Sequence, residues 1–232
     1  MARGRWYLPG MLYTGILEVP LQGIRQKIRN LVLKNNLFPI LDLCCGPGTQ
    51  AGLLGRPGSF VLGLDINLNM LKYAAFRRLG LPFLCADGAR TPFRAGAFRG
   101  IVISFALHEK ETEFRARLLN EAKSLLAPGG GIVLVDFERP WDGTSKRAYL
   151  YVSAIERLAG RSHFRNGRDF FNRGGLRALL RENGLLEVER QDIAAGTCAV
   201  VLAVPGWPAD APPMDRVLSS AECLRDGHRR AT

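Results

Sequence analysis

The run Pro39-Ile-Leu-Asp-Leu-Cys-Cys-Gly-Pro-Gly-Thr49 constrains the fold more than any other part of the 232-residue chain. Ile40, Leu41 and Leu43 give a strand that is apolar toward both faces, as a parallel sheet covered by helices on both sides requires. Gly46 and Gly48 follow in a tight turn, where the missing Cβ lets backbone come close to a ligand. Thr49-Gln-Ala-Gly-Leu-Leu54 then opens a helix, whose first N–H groups lack partners and face the same crevice. Strand, glycine turn and helix start are the parts of a nucleotide-type binding site, with Asp42 inside the strand. Gly-x-Gly also serves ordinary turns, and an acid near a strand end also serves as a cap. The rest of the chain has to decide between these uses.

From residue 39 onward, strands and helices alternate. The apolar runs 39–44, 60–64, 82–86, 100–105 and 131–137 read as strands, with helices at 49–54, 67–79 and 113–126 between them. This alternation predicts an α/β fold with a parallel sheet and right-handed crossovers. Beyond 137 the pattern changes to a helical stretch at 144–159, a polar and aromatic segment at 161–171, and a helix at 173–183 stopped by Asn183-Gly184. Strands 185–192 and 197–204 close the domain as a hairpin around Ala195-Gly196. The main domain therefore spans 39–204, with a lid-like insertion over about 139–184, while 205–232 reads as a tail of low order. Residues 1–38 form an N-terminal helical cap segment. There Leu21, Ile24, Ile28, Leu31 and Val32 share helical spacing, and Arg25, Lys27, Arg29 and Lys34 fall elsewhere.

Composition narrows the class. Apolar residues at 47% and charged residues at 23% support a sizeable core and exclude general disorder. The net charge of +11 points either to an anionic partner, such as nucleic acid or a lipid headgroup, or to compositional drift toward Arg. The cations are scattered rather than gathered in a block, which weighs against nucleic acid. Five cysteines, none in a Cys-x-x-Cys pair or near a suitable His spacing, predict no metal site and buried free thiols. No apolar run reaches ~18 residues, so no membrane span is expected. The opening residues lack an apolar signal core, and the expected location is the cytoplasm.

Ligands of open α/β sheets bind outside the carboxyl ends of the strands. Strand 60–64 runs into Asp65, strand 82–86 into Asp87 within Ala-Asp-Gly-Ala, and strand 100–105 into Ser104-Phe-Ala-Leu-His-Glu109. Leu126-Ala-Pro-Gly-Gly-Gly131 then turns into the strand Ile-Val-Leu-Val-Asp-Phe137. Any one acid could be a helix cap, but the set in this order is harder to explain that way. In this order, Leu-Asp-Leu-Cys-Cys-Gly-Pro-Gly-Thr, Gly-Leu-Asp-Ile, Ala-Asp-Gly-Ala and Leu-Ala-Pro-Gly-Gly-Gly resemble a class I S-adenosylmethionine-dependent methyltransferase. The resemblance is to the type 11-like small-molecule group, which includes the ubiquinone and menaquinone C-methyltransferases, and covers about residues 37 to 138.

It implies a Rossmann-like seven-stranded, mostly parallel sheet with the last strand antiparallel and helices on both faces. It further implies that S-adenosylmethionine is the cofactor. Asp42 and the backbone at Cys44, Gly46 and Gly48 would hold the methionine part. Asp65 would take the ribose hydroxyls, with Ile66 against the adenine, and Asp87 with Gly88 and Ala89 the adenine edge. Ser104 and Phe105 would line the far side near the methyl group. Tyr13 is the better candidate of the aromatic group Trp6, Tyr7 and Tyr13 to cover the site. Cys45 departs from the small residue usual there and would put a thiol beside the sulfonium.

Methyl transfer is an in-line displacement in which positioning and water exclusion do much of the catalysis. An acceptor that must lose a proton also needs a base. His108 is the best-placed candidate, with an unperturbed pKa near 6.5, and Glu109 is the alternative. His163, in the segment 161–171, reads as structural. Glu138 and Arg139 either reach substrate or pair with each other. The expected partner is a small-molecule acceptor, methylated at an aromatic or quinol-like carbon or oxygen. A nucleic-acid methyltransferase stands as the alternative, though the fourth strand lacks the Asn/Asp-Pro-Pro-aromatic signature and no Pro-Cys nucleophile is present. A nicotinamide dehydrogenase would need the full Gly-x-Gly-x-x-Gly pattern. A cofactor-binding protein without turnover stays open, because fold does not establish reaction.

Overall fold

The computed structural model describes residues 8–139 and 161–206 apart from Arg78, with backbone alone for 8–20 and 161–163. Trp6, Tyr7, the expected helix 144–159 and all but the start of the expected tail lie outside the described residues. In chain order the elements begin α1 (Leu8–Lys34), β1 (Ile40–Leu43), α2 (Thr49–Leu54), β2 (Val61–Asp65), α3 (Leu68–Phe76), β3 (Phe83–Cys85) and β4 (Phe98–Ser104). They continue α4 (Thr112–Leu125), β5 (Leu126–Phe137), α5 (Arg161–Asn172), α6 (Gly175–Glu182), β6 (Leu185–Ile193) and β7 (Cys198–Pro205).

The seven strands make one sheet in the order β3-β2-β1-β4-β5-β7-β6. β7 lies antiparallel between β5 and β6, so the last strand of the sequence is inserted rather than added at the edge. β1 pairs in parallel with β2 on one side and β4 on the other, which makes their carboxyl ends the switch point where α/β sheets open a crevice.

The period of two along each strand decides which core a side chain joins. Leu41, Leu43, Ile101, Ile103, Ile132 and Leu134 pack with α4, α5 and α6 through Leu118, Leu119, Phe170, Phe171 and Leu180. Ile40, Val102, Val133, Val135 and Val200 face the opposite way, onto Ile28, Leu31 and Val32 of α1 and Ala51 and Leu54 of α2. By that alternation Asp42 projects toward α1 and α2. α3 is started by Asn67, whose side chain accepts from the N–H groups of Asn69 and Met70, a cap worth about 1 kcal/mol.

Several details differ from the pattern of the sequence. α1 begins at Leu8 rather than near Leu21. It is not merely a basic amphipathic helix, because its cations tie it to its own domain. Arg29 Nε donates to Leu53 O at 3.2 Å, Lys27 meets Gln191 at 3.4 Å and Lys34 pairs with Glu189 at 2.7 Å. The polar segment 161–171 is a helix, α5, whose Phe170 and Phe171 enter the core. Leu126–Gly131 is a bulge within β5 rather than a turn before it: Phe98 opposes Leu126 and Gly100 already opposes Gly131. Cys85 is exposed on the edge strand, whereas Cys45 and Cys198 are buried. Among the described residues, no helix is long and apolar enough to cross a membrane, and no cluster of His, Cys, Asp and Glu could hold a metal ion.

The β6–β7 turn carries two non-glycine residues in left-handed backbone, Ala194 at φ 49° and Ala195 at φ 54°. A Cβ in that region strains the chain. Ala195→Gly is therefore expected to stabilise the protein by roughly 0.5–1 kcal/mol, read as a rise in Tm of about 2 °C.

Candidate active site

A cavity of about 280 Å³ opens at the carboxyl ends of β1, β2 and β4, with α1 along one wall. Its floor is the turn after β1, where Cys44, Gly46 and Gly48 all take left-handed backbone, at φ 62°, 53° and 72°. The two glycines serve different ends. A Cβ on Gly46 would meet nothing within 4 Å, so that glycine is needed for its φ and leaves its face open to the cavity. A Cβ on Gly48 would stand 2.7 Å from the Phe83 ring, so that glycine lets α2 pack on the sheet and does not line the cavity.

Asp65, at the end of β2, fixes the rim. Its Oδ2 accepts from Gly46 N at 2.7 Å and its Oδ1 from Asn67 N at 2.8 Å, joining the glycine turn to the start of α3. Next to it, Ile66 is 67% exposed, an apolar side chain on the cavity wall with little protein covering it. Asp87 lies on the wall too, and its Oδ1 accepts from Ala89 N at 2.9 Å, so it caps its own turn as well. Gly88 is buried, and a Cβ there would stand 2.9 Å from Leu118.

The inner end of the cavity is polar and incomplete. Arg25 from α1, Asp42 from β1 and Gln50 from α2 are 8%, 1% and 4% exposed. Arg25 Nε, Asp42 Oδ2 and Gln50 Oε1 are buried without a hydrogen-bond partner in the protein. Leaving such atoms unpaired costs about 1–3 kcal/mol each, so a donor beside two acceptors marks a place for a ligand. The complement of that set is a group with both carboxylate and ammonium, the α-amino acid end of a molecule. Burial pushes the Asp42 carboxyl up to about 7, against the lowering pull of the Ala51 N–H and the Arg25 cation.

Four carboxylates line the cavity, Asp42, Asp65, Asp87 and Glu109, against two cations, Arg25 and Lys110. A site of that sign suits a cationic ligand, and it runs against the +11 of the whole chain. The basic excess is therefore not gathered here, as phosphate recognition would require. Neither thiol is a nucleophile at neutral pH. Burial, assisted by Asp65, raises Cys44 to about 12, and burial raises Cys45 as well. Cys45 is buried at 8% exposure yet lines the cavity, with Sγ 3.8 Å from Gly46 O.

Of the residues singled out by sequence, Asp42, Cys44, Cys45, Gly46, Asp65, Ile66, Asp87, Gly88, Ser104, Phe105 and Glu109 line this cavity. Gly48, Ala89 and His108 do not. The side chains of Tyr13 and His163 lie outside the described residues. His108 sits behind the β4–α4 loop, 3% exposed, with Nδ1 2.7 Å from Asp136 Oδ1 and its ring against Phe137. Glu138 pairs with Arg190 rather than with Arg139, and accepts from Arg177 N at the start of α6. Sequence reasoning missed Arg25, Gln50, Lys110 and Phe114. Arg25 had a signal: it falls four residues after Leu21 and three before Ile28, on the apolar face.

The loop from Ser104 to Glu111 is held from behind. Asp136 accepts the N–H groups of Leu107 and His108 through one oxygen, at 2.9 and 3.2 Å. Arg115, 1% exposed, donates to Leu107 O, Asn166 O and Asp169, and Asn166 Nδ2 donates to Glu109 O at 2.8 Å. His108 and Leu107 thus face the core, while Phe105, Ala106, Glu109 and Lys110 face the cavity.

Comparison with known proteins agrees with this geometry. A profile of the methyltransferase domain family matches residues 40–130. A demethylmenaquinone methyltransferase of Streptomyces griseus is 30% identical over 173 residues, covering 69% of this chain and 74% of that protein. Among solved structures, PH0226 protein from Pyrococcus horikoshii OT3 superposes with a TM-score of 0.59 at 18% identity, over 83% of this chain and 91% of that one. Magnesium protoporphyrin IX methyltransferase from Synechocystis PCC 6803, with bound SAH, gives 0.57 at 17% identity, over 81% and 84%. The two structures share the fold.

Proposed function

We propose that this chain, which belongs to the class I S-adenosylmethionine-dependent methyltransferase family, methylates a small aromatic, quinol-like acceptor at carbon or oxygen. The observation that carries the cofactor assignment is the buried trio Arg25, Asp42 and Gln50 at the inner end of an acidic cavity. Its unpartnered donor and acceptors fit the methionyl end of S-adenosylmethionine, the carboxylate toward Arg25 and the ammonium toward Asp42 and Gln50. Asp65 would take the ribose hydroxyls with the lone pairs left after Gly46 N and Asn67 N. Ile66 would cover one face of the adenine, and Asp87 its edge. When bound, the cofactor supplies a methyl group made reactive by its sulfonium.

The acceptor side is the wall of Phe105, Ala106 and Phe114, with Leu21 and Ile24 from α1. Aromatic rings and aliphatic chains in one lining suit a planar apolar acceptor. The likeness to the demethylmenaquinone methyltransferase supports the quinol class. Closing such a site excludes water, which favours transfer to the acceptor over hydrolysis.

Isothermal titration with S-adenosylmethionine and S-adenosylhomocysteine, with NADH as control, tests the cofactor. Micromolar binding of the two sulfur ligands and none of NADH is expected. Asp65→Ala should weaken both by roughly 30-fold, about 2 kcal/mol, because it removes the ribose acceptor and frees the Gly46 turn. Unchanged affinity in that variant would overturn the assignment of Asp65.

A further inference from the structure

We propose that Glu109 and Lys110 are the proton-handling pair of this site, acting on an acceptor with an ionisable aromatic hydroxyl. The inference rests on the methyl-transfer reading above and goes beyond it, since it places a base and selects acceptors by the acidity of one group.

The loop after β4 gives two neighbouring residues opposite fates. His108 points inward and is committed to Asp136, while Glu109 and Lys110 line the cavity. Their side chains are 36% and 35% exposed, and Lys110 Nζ stands 3.9 Å from Glu109 Oε2, an ion pair too long for a hydrogen bond. Their backbone is fixed from several directions: Asp136 on the N–H of His108, Arg115 on Leu107 O, Asn166 on Glu109 O, and Lys110 N on Leu107 O at 3.1 Å. Such support positions a catalytic group on a loop that would otherwise be mobile. The pair shares the cavity with Phe105, Ala106 and Phe114, while Arg25, Asp42 and Gln50 already serve the amino-acid end.

In the step this implies, the acceptor O–H proton passes to the Glu109 carboxylate and the O–H electron pair stays on oxygen, beside the Lys110 ammonium. The new bond forms from that oxygen, or from the ring carbon it activates, to the methyl carbon. The methyl–sulfur bond breaks with its electron pair left on sulfur. After carbon methylation the ring proton leaves to water and restores aromaticity. Charged groups near Glu109 among the described residues include Lys110, the cavity residues Arg25, Asp42, Asp65 and Asp87, and Glu111 just before α4, which pairs with Arg165 of α5 at 3.8 Å.

The test uses the full chain loaded with S-adenosylhomocysteine and 1-naphthol as the probe, whose ionised form is read by absorbance. Two opposed influences should set the ionisation of bound 1-naphthol, because the Lys110 ammonium favours the naphtholate and the Glu109 carboxylate, accepting the O–H, opposes it. Lys110→Met should raise the pH at which bound 1-naphthol ionises by about one unit, Glu109→Gln should lower it by a similar amount, Glu109→Asp should restore part of the wild-type value, and calorimetric affinity for S-adenosylhomocysteine should stay within about twofold. The proposal fails if wild-type protein does not bind 1-naphthol, or if the two variants leave its ionisation unchanged or move it in the same direction. It also fails if Lys110→Met weakens S-adenosylhomocysteine by about tenfold or more, because Lys110 would then serve the cofactor. Absence of S-adenosylhomocysteine binding by the wild type would instead overturn the methyltransferase reading, and this one with it.

Discussion

Asp42→Asn is expected to make the cofactor-free protein more stable while weakening its hold on S-adenosylmethionine. Burial raises this carboxyl to about 7, well above an ordinary aspartate near 3.9. Between those two pH values the folded chain keeps a proton that the unfolded chain has released. Stability therefore falls as pH rises through that window and levels off above it. Above it the fold carries a buried ionised carboxylate at a cost of roughly 2–4 kcal/mol. Asparagine removes the charge, still accepts from Ala51 N–H, and places Nδ2 donors in the pocket where Gln50 Oε1 has no partner in the protein.

At about pH 8 the variant should gain roughly 2 kcal/mol, a rise in Tm of about 4–8 °C, and this gain should vanish near pH 4. Ligand affinity should move the other way. An ammonium seated on Asp42 pulls its pKa down, so binding releases a proton, and wild-type affinity should fall about tenfold per pH unit below about 7. The variant should bind roughly 100-fold more weakly above that pH, with a flat profile below it. Thermal unfolding and calorimetric titration across that range measure both quantities. A variant less stable than wild type at about pH 8 would contradict the argument. A stability gain with loss of binding is the trade-off expected where burial strains a functional group.

The sheet was legible in the sequence because each strand carries its own signal. The runs around Ile40–Leu43, Val61–Asp65 and Ile101–Ser104 are apolar, short and bounded by turns, and none depends on a distant partner to be recognised. The rim of the site was legible for the same reason, since Asp65 and Asp87 sit at strand ends. What escaped depends on contacts far apart in sequence. Arg25 and Gln50 join Asp42 only when α1 and α2 fold onto one face, and Arg25 looks like one more cation until its place on the apolar stripe is counted. α5 hid its helix behind Asn166, Gly167 and Asp169, poor helix formers kept there by tertiary contacts. Asn166 reaches Glu109 O, and Asp169 accepts from Thr112 and Arg115. His108 was the plainest base in its segment. Its direction depended on Asp136, 28 residues away on the neighbouring strand.

That dependence makes Asp136 the residue whose loss should be felt most by the fold. It is fully buried and accepts from the N–H groups of Leu107, His108 and Phe137, with the His108 ring at its Oδ1. Asp136→Ala leaves three buried backbone donors without partners and opens a cavity between β4 and β5. The expected loss is about 4 kcal/mol or more, a fall in Tm of roughly 8–16 °C. His108→Gln removes the ring, with its bond to Asp136 Oδ1 and its contact with Phe137, but leaves the backbone donors on Asp136, so it should cost roughly 2 kcal/mol. Both losses are stability losses, visible in thermal unfolding without any ligand. If His108 anchors the loop, His108→Gln bound to S-adenosylhomocysteine should leave the ionisation of 1-naphthol as in the wild type, while Glu109→Gln should lower the pH at which it ionises and leave Tm nearly unchanged. The opposite pattern would return the base to His108 and leave Glu109 as a surface carboxylate. The two neighbours therefore separate by readout: one should move the melting curve and the other the titration of the acceptor.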